Sequence, residues 1–89
     1  MPTVEVPSRY RVPTRGESRI GVEGSTVREC IGQIESQYPG FSELVLDKEG
    51  GQRRFVRLFL NGDALDRNDL DSPLEPTDTI TIMASAAGG

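Results

Sequence analysis

Two groups in this sequence suit covalent chemistry: the α-carboxylate of Gly89, presented on Gly88, and the thiol of Cys30, the single cysteine. The ending Ala84-Ser85-Ala86-Ala87-Gly88-Gly89 buries little surface and fixes little backbone, so a packed domain gains almost nothing from it. It is either slack or chemistry. A carboxylate is a poor acyl electrophile, because resonance stabilises it and oxide would have to leave, so a reactive terminus needs a partner that activates it. Cys30 falls on the flank of an apolar helical stripe, where a thiol serves as a small core side chain rather than a nucleophile. With no histidine and one cysteine, the common zinc, haem and iron–sulfur ligand sets are missing and no internal disulfide can form. Nor does the sequence contain a Ser/His/Asp set, a phosphate-binding Gly-Lys-Ser/Thr loop or a convincing acid–base pair. The chain is therefore expected to bind no metal or cofactor of its own, and no catalytic set of an enzyme is visible in it.

The elements that would position the terminus can be read in order. Thr3-Val4-Glu5-Val6 alternates polar and apolar residues up to Pro7, and Ser18 to Val22 alternates again, with the turn-rich Pro13-Thr14-Arg15-Gly16 between them. Together these predict a hairpin. Thr26 followed three residues later by Glu29 has the form of a capping box, and Val27, Cys30, Ile31, Ile34 and Tyr38 then share one stripe of a helix of about three turns. Pro39-Gly40 ends that helix, and Phe41, Leu44, Val45 and Leu46 supply a further short turn over the core. The strongest strand, Phe55 to Leu60, closes on Asn61-Gly62, the dipeptide that best fits a type I′ turn. Period two puts Val56, Leu58 and Leu60 inward and Phe55, Arg57 and Phe59 outward. Leu65, Leu70 and Leu74 suggest irregular coverage, Pro76-Thr77-Asp78 a turn, and Thr79 to Met83 a last strand with Ile80 and Ile82 inward.

Size and charge narrow the function further. Eighty-nine residues make one domain with a thin core and hardly any room for a deep catalytic cavity. The net charge of −4 argues against a general nucleic-acid binder. Within it, Asp63, Asp66, Asp69, Asp71, Glu75 and Asp78 face one base, Arg67, while Arg53, Arg54 and Arg57 crowd the strand before them, a polarity that could steer a partner. Neither an apolar run long enough to span a membrane nor a basic-then-apolar leader is visible, so no membrane partner and a cytoplasmic location are expected.

The order β-β-α-β-(short β)-β implies an α+β domain in which one helix rests in the curve of a mixed sheet, the ubiquitin-like β-grasp, with four to five strands and one main crossing helix. On this pattern the segments Thr26 to Tyr38, Phe55-Val56-Arg57-Leu58-Phe59-Leu60-Asn61-Gly62, Leu74-Glu75-Pro76-Thr77-Asp78-Thr79-Ile80-Thr81-Ile82 and Ala87-Gly88-Gly89 resemble the MoaD/ThiS family of sulfur-carrier proteins. Many molybdopterin-type members carry an apolar-Pro-Pro run before the glycines, where this chain has Met83-Ala84-Ser85-Ala86. The segment around Tyr38-Pro39-Gly40-Phe41 and the run Arg53-Arg54-Phe55-Val56 look more like carriers that feed sulfur to cysteine synthesis or specialised metabolites.

The resemblance implies a body over residues 1–83 and a flexible tail over 84–89. An E1-like enzyme would use ATP to adenylate the Gly89 carboxylate, and a sulfur donor would displace AMP to leave a thiocarboxylate for a sulfur-accepting synthase. Six tail residues extend about 20 Å at roughly 3.3–3.6 Å each, enough to thread Ala86, Ala87, Gly88 and Gly89 into a partner's site. Phe59, Arg57 and Met83 share outward parity and are expected to dock the activating enzyme. The alternatives are a ubiquitin-like modifier joined through Gly89 to lysines of other proteins, and a scaffold with no tail chemistry.

Overall fold

The computed structural model of the chain describes residues 1–84. Its strands are β1 (Thr3–Glu5), β2 (Arg19–Gly21), β3 (Val56–Leu60), β4 (Asp63–Ala64) and β5 (Thr79–Ala84), and its helices α1 (Val27–Gln37) and α2 (Ser42–Val45). One sheet joins the five strands in the order β2-β1-β5-β3-β4. β1 and β5 are parallel, whereas β1–β2, β3–β5 and β3–β4 are antiparallel. It follows that β2 and β3 point the same way on opposite sides of the β1–β5 pair, so the chain between them has to cross the sheet. Helix α1 is that crossing, which makes the architecture the expected β-grasp.

Period two in the strands and period 3.6 in the helix converge on one core. Val4, Ile20, Val56, Leu58, Ile80 and Ile82 line the inner face of the sheet, and Val27, Cys30, Ile31 and Ile34 of α1 pack on them. Phe41 and Val45 close one end and Leu70 another. Burying side chains of this size stabilises by about 1.5–3 kcal/mol each, set against the entropy of ordering the chain. Gly24 allows the helix start to approach: a Cβ there would stand 2.9 Å from the Cys30 sulfur.

Polar side chains hold the junctions. Thr26 accepts the Glu29 N–H at 3.1 Å as the cap requires, but the Glu29 carboxylate reaches one residue further out, accepting from the Ser25 N–H (2.9 Å) and hydroxyl (2.8 Å). At the other end of α1, Glu35 accepts from the N–H groups of Gly40 (3.1 Å) and Ser42 (2.8 Å), tying α1 to α2. Asn61 and Gly62 have φ of 51° and 90°, and Leu60 pairs with Asp63 across them, which is the type I′ turn the dipeptide favours. The Asn61 side chain then donates to Asp78 (2.8 Å) and accepts the Thr79 N–H (2.9 Å), so the turn is fastened to the start of β5.

Element ends differ from the alternation in small ways. β1 and β2 are each shorter than expected, yet Val6 N–H still donates to Ser18 (2.8 Å) and Val22 N–H to Pro2 (2.9 Å), so the pairing covers the expected length. Phe55 sits in a turn before β3. β5 runs one residue beyond Met83: Ala84, assigned to the tail from its size, pairs with Val56. Residues 85–89 of that expected tail lie outside the described residues. No described helix is long and apolar enough to cross a membrane.

Hydrogen bonds to the ionised form hold Glu29, Glu35 and Asp78 below the usual carboxylate range, led by Ser25, Ser42 and Asn61 respectively. A depressed folded pKa favours the ionised folded state, so this contribution is complete above the unfolded value of about 4 and is lost as pH falls through the folded values. The midpoint of thermal unfolding should therefore hold from neutral pH to about 5 and fall below about 4. Glu35→Gln should start lower at neutral pH and fall less on acidification; an unchanged acid slope would exclude Glu35 as a source.

Candidate functional site

β5 is paired on both sides, and its exit is the site that the expected chemistry requires. Register fixes what surrounds it. Arg57 stands directly opposite Met83, Phe59 opposite Thr81, and Val56 opposite Ala84. The structure thus brings Arg57, Phe59 and Met83 together on the outer face, as their parity implied. Met83 is 50% exposed and Arg57 is exposed, while Phe59 is half-buried. Gly89, Gly88, Ala87 and Ala86 lie outside the described residues.

Met83 owes its exposure to the neighbouring strand. β1 pairs with β5 through Glu5↔Thr81 and then stops, and continuing that register sets Pro7 opposite Met83. Proline has no N–H to continue a ladder, so β1 turns away and Met83 keeps one strand neighbour. An open hollow of about 420 Å³ results, lined by Val6, Pro7, Arg11, Thr81 and Met83 among others. A smaller one of about 200 Å³ lies on the β3 side, between Arg54, Arg57, Phe59, Leu65 and Arg67. Shallow, open and lined by mixed groups, both suit the side chains of a partner protein better than an enclosed substrate.

Further from the exit the face turns polar. Arg19, Glu5, Thr81, Phe59 and Ala64 form one row across all five strands. Arg19 ion-pairs with Glu5 at 2.9 Å, and the Thr81 hydroxyl donates to the other Glu5 oxygen at 2.9 Å. Phe59 and Ala64 are the apolar members of this row, and Met83 lies one step nearer the exit of β5.

Some features of the site escape a sequence reading. Phe55, 49% exposed, adds an aromatic beside the basic run; its parity was visible, but not that it precedes the strand in a turn. Arg67 is not a counter-charge for the acids around it. It donates to the carbonyls of Gln52 (2.8 Å) and Arg54 (3.0 Å), holding the segment that leads into β3. Buried Gln52 donates to Val56 O at 2.6 Å, and no local pattern announces it. Among the described residues no group of three His, Cys, Asp or Glu side chains is placed to hold a metal ion.

A five-stranded mixed sheet crossed by one main helix defines a protein of the ubiquitin-like β-grasp class. Residues 9–89 match the profile of the ThiS family, and the chain belongs to that family. It is 31% identical over 90 residues to the sulfur carrier protein CysO of Mycobacterium tuberculosis H37Rv, covering 98% of this chain and 97% of that one. The crystal structure of M. tuberculosis CysO, an antigen, superposes with a TM-score of 0.88 at 27% identity, over 97% of this chain and 100% of that one. A chain of the Amycolatopsis orientalis BexX/CysO complex superposes with a TM-score of 0.86 at 33% identity, with both chains fully covered (100%). The small archaeal modifier protein 1 of Methanosarcina acetivorans shares the fold, with a TM-score of 0.83 at 18% identity, over 99% of this chain and 95% of that one.

Cys30 is fully buried on α1, and burial pushes its thiol up from the ordinary value, with Glu29 adding to the effect. Both lower the thiolate fraction at neutral pH. Native protein at pH 7.5 should therefore react with iodoacetamide at least about 100-fold more slowly than protein unfolded in urea, read by mass spectrometry. Equal rates would place the thiol at the surface.

Proposed function

We propose that this chain is a sulfur carrier whose reactive group is the Gly89 carboxylate. The observation that carries the reading is the ThiS-family match, which runs through Gly88 and Gly89. A relative named as a sulfur carrier over nearly its whole length supports it. In the proposed cycle a carboxylate oxygen of Gly89 attacks the α-phosphorus of ATP on an E1-like enzyme, releasing pyrophosphate. Hydrosulfide from a sulfur donor then attacks the acyl carbon, AMP leaves with the bonding pair, the sulfur's proton passes to solvent, and the product is a thiocarboxylate. That sulfur is delivered to a sulfur-accepting synthase in biosynthesis. The ATP and the bond-making residues belong to the partners; this chain supplies the carbonyl and the handle.

The body's part is to present the end. β5, held by β1 and β3 as far as Thr81 and by β3 through Ala84, gives the tail its origin, and the Arg57, Phe59 and Met83 face beside it is the proposed docking surface for the activating enzyme. A related chain found in a BexX/CysO complex supports engagement of a protein partner. The likeness to an archaeal modifier carries the fold alone, so conjugation to lysines gains no support from it.

Deleting Gly89 sets the carboxylate about 3.5 Å short of its place, and misplacement by about 1 Å already costs roughly 100-fold in rate. Exchange of pyrophosphate into ATP with the cognate activating enzyme should be abolished in the deletion, and also in Gly88→Val, with the melting temperature unchanged. Wild-type exchange in the deletion would end the carrier reading. Phe59→Ala and Arg57→Glu should each weaken association with that enzyme by about 10-fold or more without unfolding the chain, as central anchors do. Wild-type affinity in both would remove this face from the interface.

A further inference from the structure

β2 is an edge of the sheet, paired with β1 alone. Its hydrogen-bond parity shows which groups face outward. Val22 N–H donates to Pro2 O and Val6 N–H to Ser18 O, so the even-numbered residues 18, 20 and 22 turn toward β1. The N–H and C=O groups of Arg19, Gly21 and Glu23 therefore point to the open side, and none takes part in a backbone hydrogen bond among the described residues. Such a row is a template for another strand.

The side chains along this edge are complementary to themselves. Arg19 and Glu23 flank Gly21 at equal spacing with opposite charge, and all three are exposed. Nothing lies within 4 Å of where a Cβ on Gly21 would stand. Arg19 meets Glu5 through one nitrogen, which leaves donors of the guanidinium for a second carboxylate. Glu23 makes no ion pair among the described residues. The opposite edge does not share this property: β4 is two residues long, and Asp63 with Asp66 would repel a second copy.

We propose that the β2 edge docks a second copy of this chain, the two strands running antiparallel about Gly21, with Arg19 of each copy beside Glu23 of the other. Antiparallel pairing requires outward groups to meet outward groups, and centring on Gly21 pairs Gly21 with Gly21 and Arg19 with Glu23 in that register. A one-residue shift would turn one copy's outward groups against the other's inward ones, so the register is specified. Charged residues normally guard an edge against association; here their order makes the guard selective for the same sequence. The two-fold axis stands perpendicular to the sheet, leaving both outer faces on one side and open. The two β5 strands would lie five strand spacings apart, about 24 Å, so pairing leaves each exit free. The contact is smaller than a stable standard interface, which makes the association weak and dependent on concentration.

Sedimentation equilibrium of the full chain over a wide concentration range at low salt should show a monomer–dimer equilibrium that weakens as salt rises. Arg19→Glu and Glu23→Arg should each weaken it by about tenfold or more, and the double exchange should restore it, since the pairs reform with signs reversed. Circular dichroism checks that each variant is folded, and Glu23→Arg removes no ion pair of the monomer should Arg19→Glu fail that check. Hydrogen exchange supplies the residue-level readout: the Gly21 amide should exchange more slowly as concentration rises. A chain monomeric throughout, a dimer indifferent to Glu23→Arg, or a Gly21 amide whose exchange ignores concentration would each overturn the proposal.

Discussion

The double pairing of β5 is the constraint on which the rest of this structure depends. The last strand in sequence is the middle strand in space, parallel to β1 and antiparallel to β3. A terminal strand at an edge would fray, and whatever followed it would start from an uncertain place. Here each end of the chain holds the other: Val4 pairs with Ile80, and both are buried under α1. Sheet order, helix crossing and core position follow from this arrangement, because β2 and β3 can only flank the pair and α1 can only connect them over its face.

A thin core leaves the irregular segments to polar side chains. Between β4 and β5 the chain has one 3-10 turn, and its backbone groups need other partners. Asp66 caps that turn by accepting the Asn68 N–H, Asp71 meets Arg28 at 2.8 Å, and Asp78 fastens the Asn61 turn. Half of the acids in the run from Asp63 to Asp78 are thus engaged as caps or clamps. Arg28 does the same from the helix, its guanidinium also reaching the Gly50 carbonyl. The clustering of acids that looks like a field in the sequence is in good part local architecture.

This division explains which features are legible in the sequence. Periodicity reports burial, so α1, β3, the inner set Val56, Leu58, Ile80 and Ile82, and the outward Arg57 and Met83 all follow from spacing. The type I′ turn follows from Asn61-Gly62 because left-handed backbone is a local property. Long-range satisfaction leaves no such trace. Thr14, fully buried with its hydroxyl near the carbonyls of Arg11 (3.3 Å) and Glu17 (3.0 Å), reads as an ordinary turn residue. Arg67 reads as a lone base among acids, and the Glu5–Arg19–Thr81 row depends on registers between strands far apart in sequence. Ala84 reads as tail because a methyl group carries no strand signal, yet the ladder with Val56 claims it.

Pro7 links the fold to the proposed chemistry. By ending β1 early it uncovers Met83 on the side facing the hairpin, while Arg57 still backs it from β3. The Arg19–Glu5–Thr81 contacts lie one step further in and satisfy polar groups of the outer face there, while Met83 stays exposed near the exit of β5. On the proposed reading, a partner that receives the end of the chain would find Met83 beside it as an apolar anchor, with basic groups at its rim for orientation. Extending β1 past Pro7 would give Met83 a second strand neighbour and move the open surface away from the exit. The short first strand thus leaves Met83 beside the exit of β5 open on one side, as the proposed docking requires.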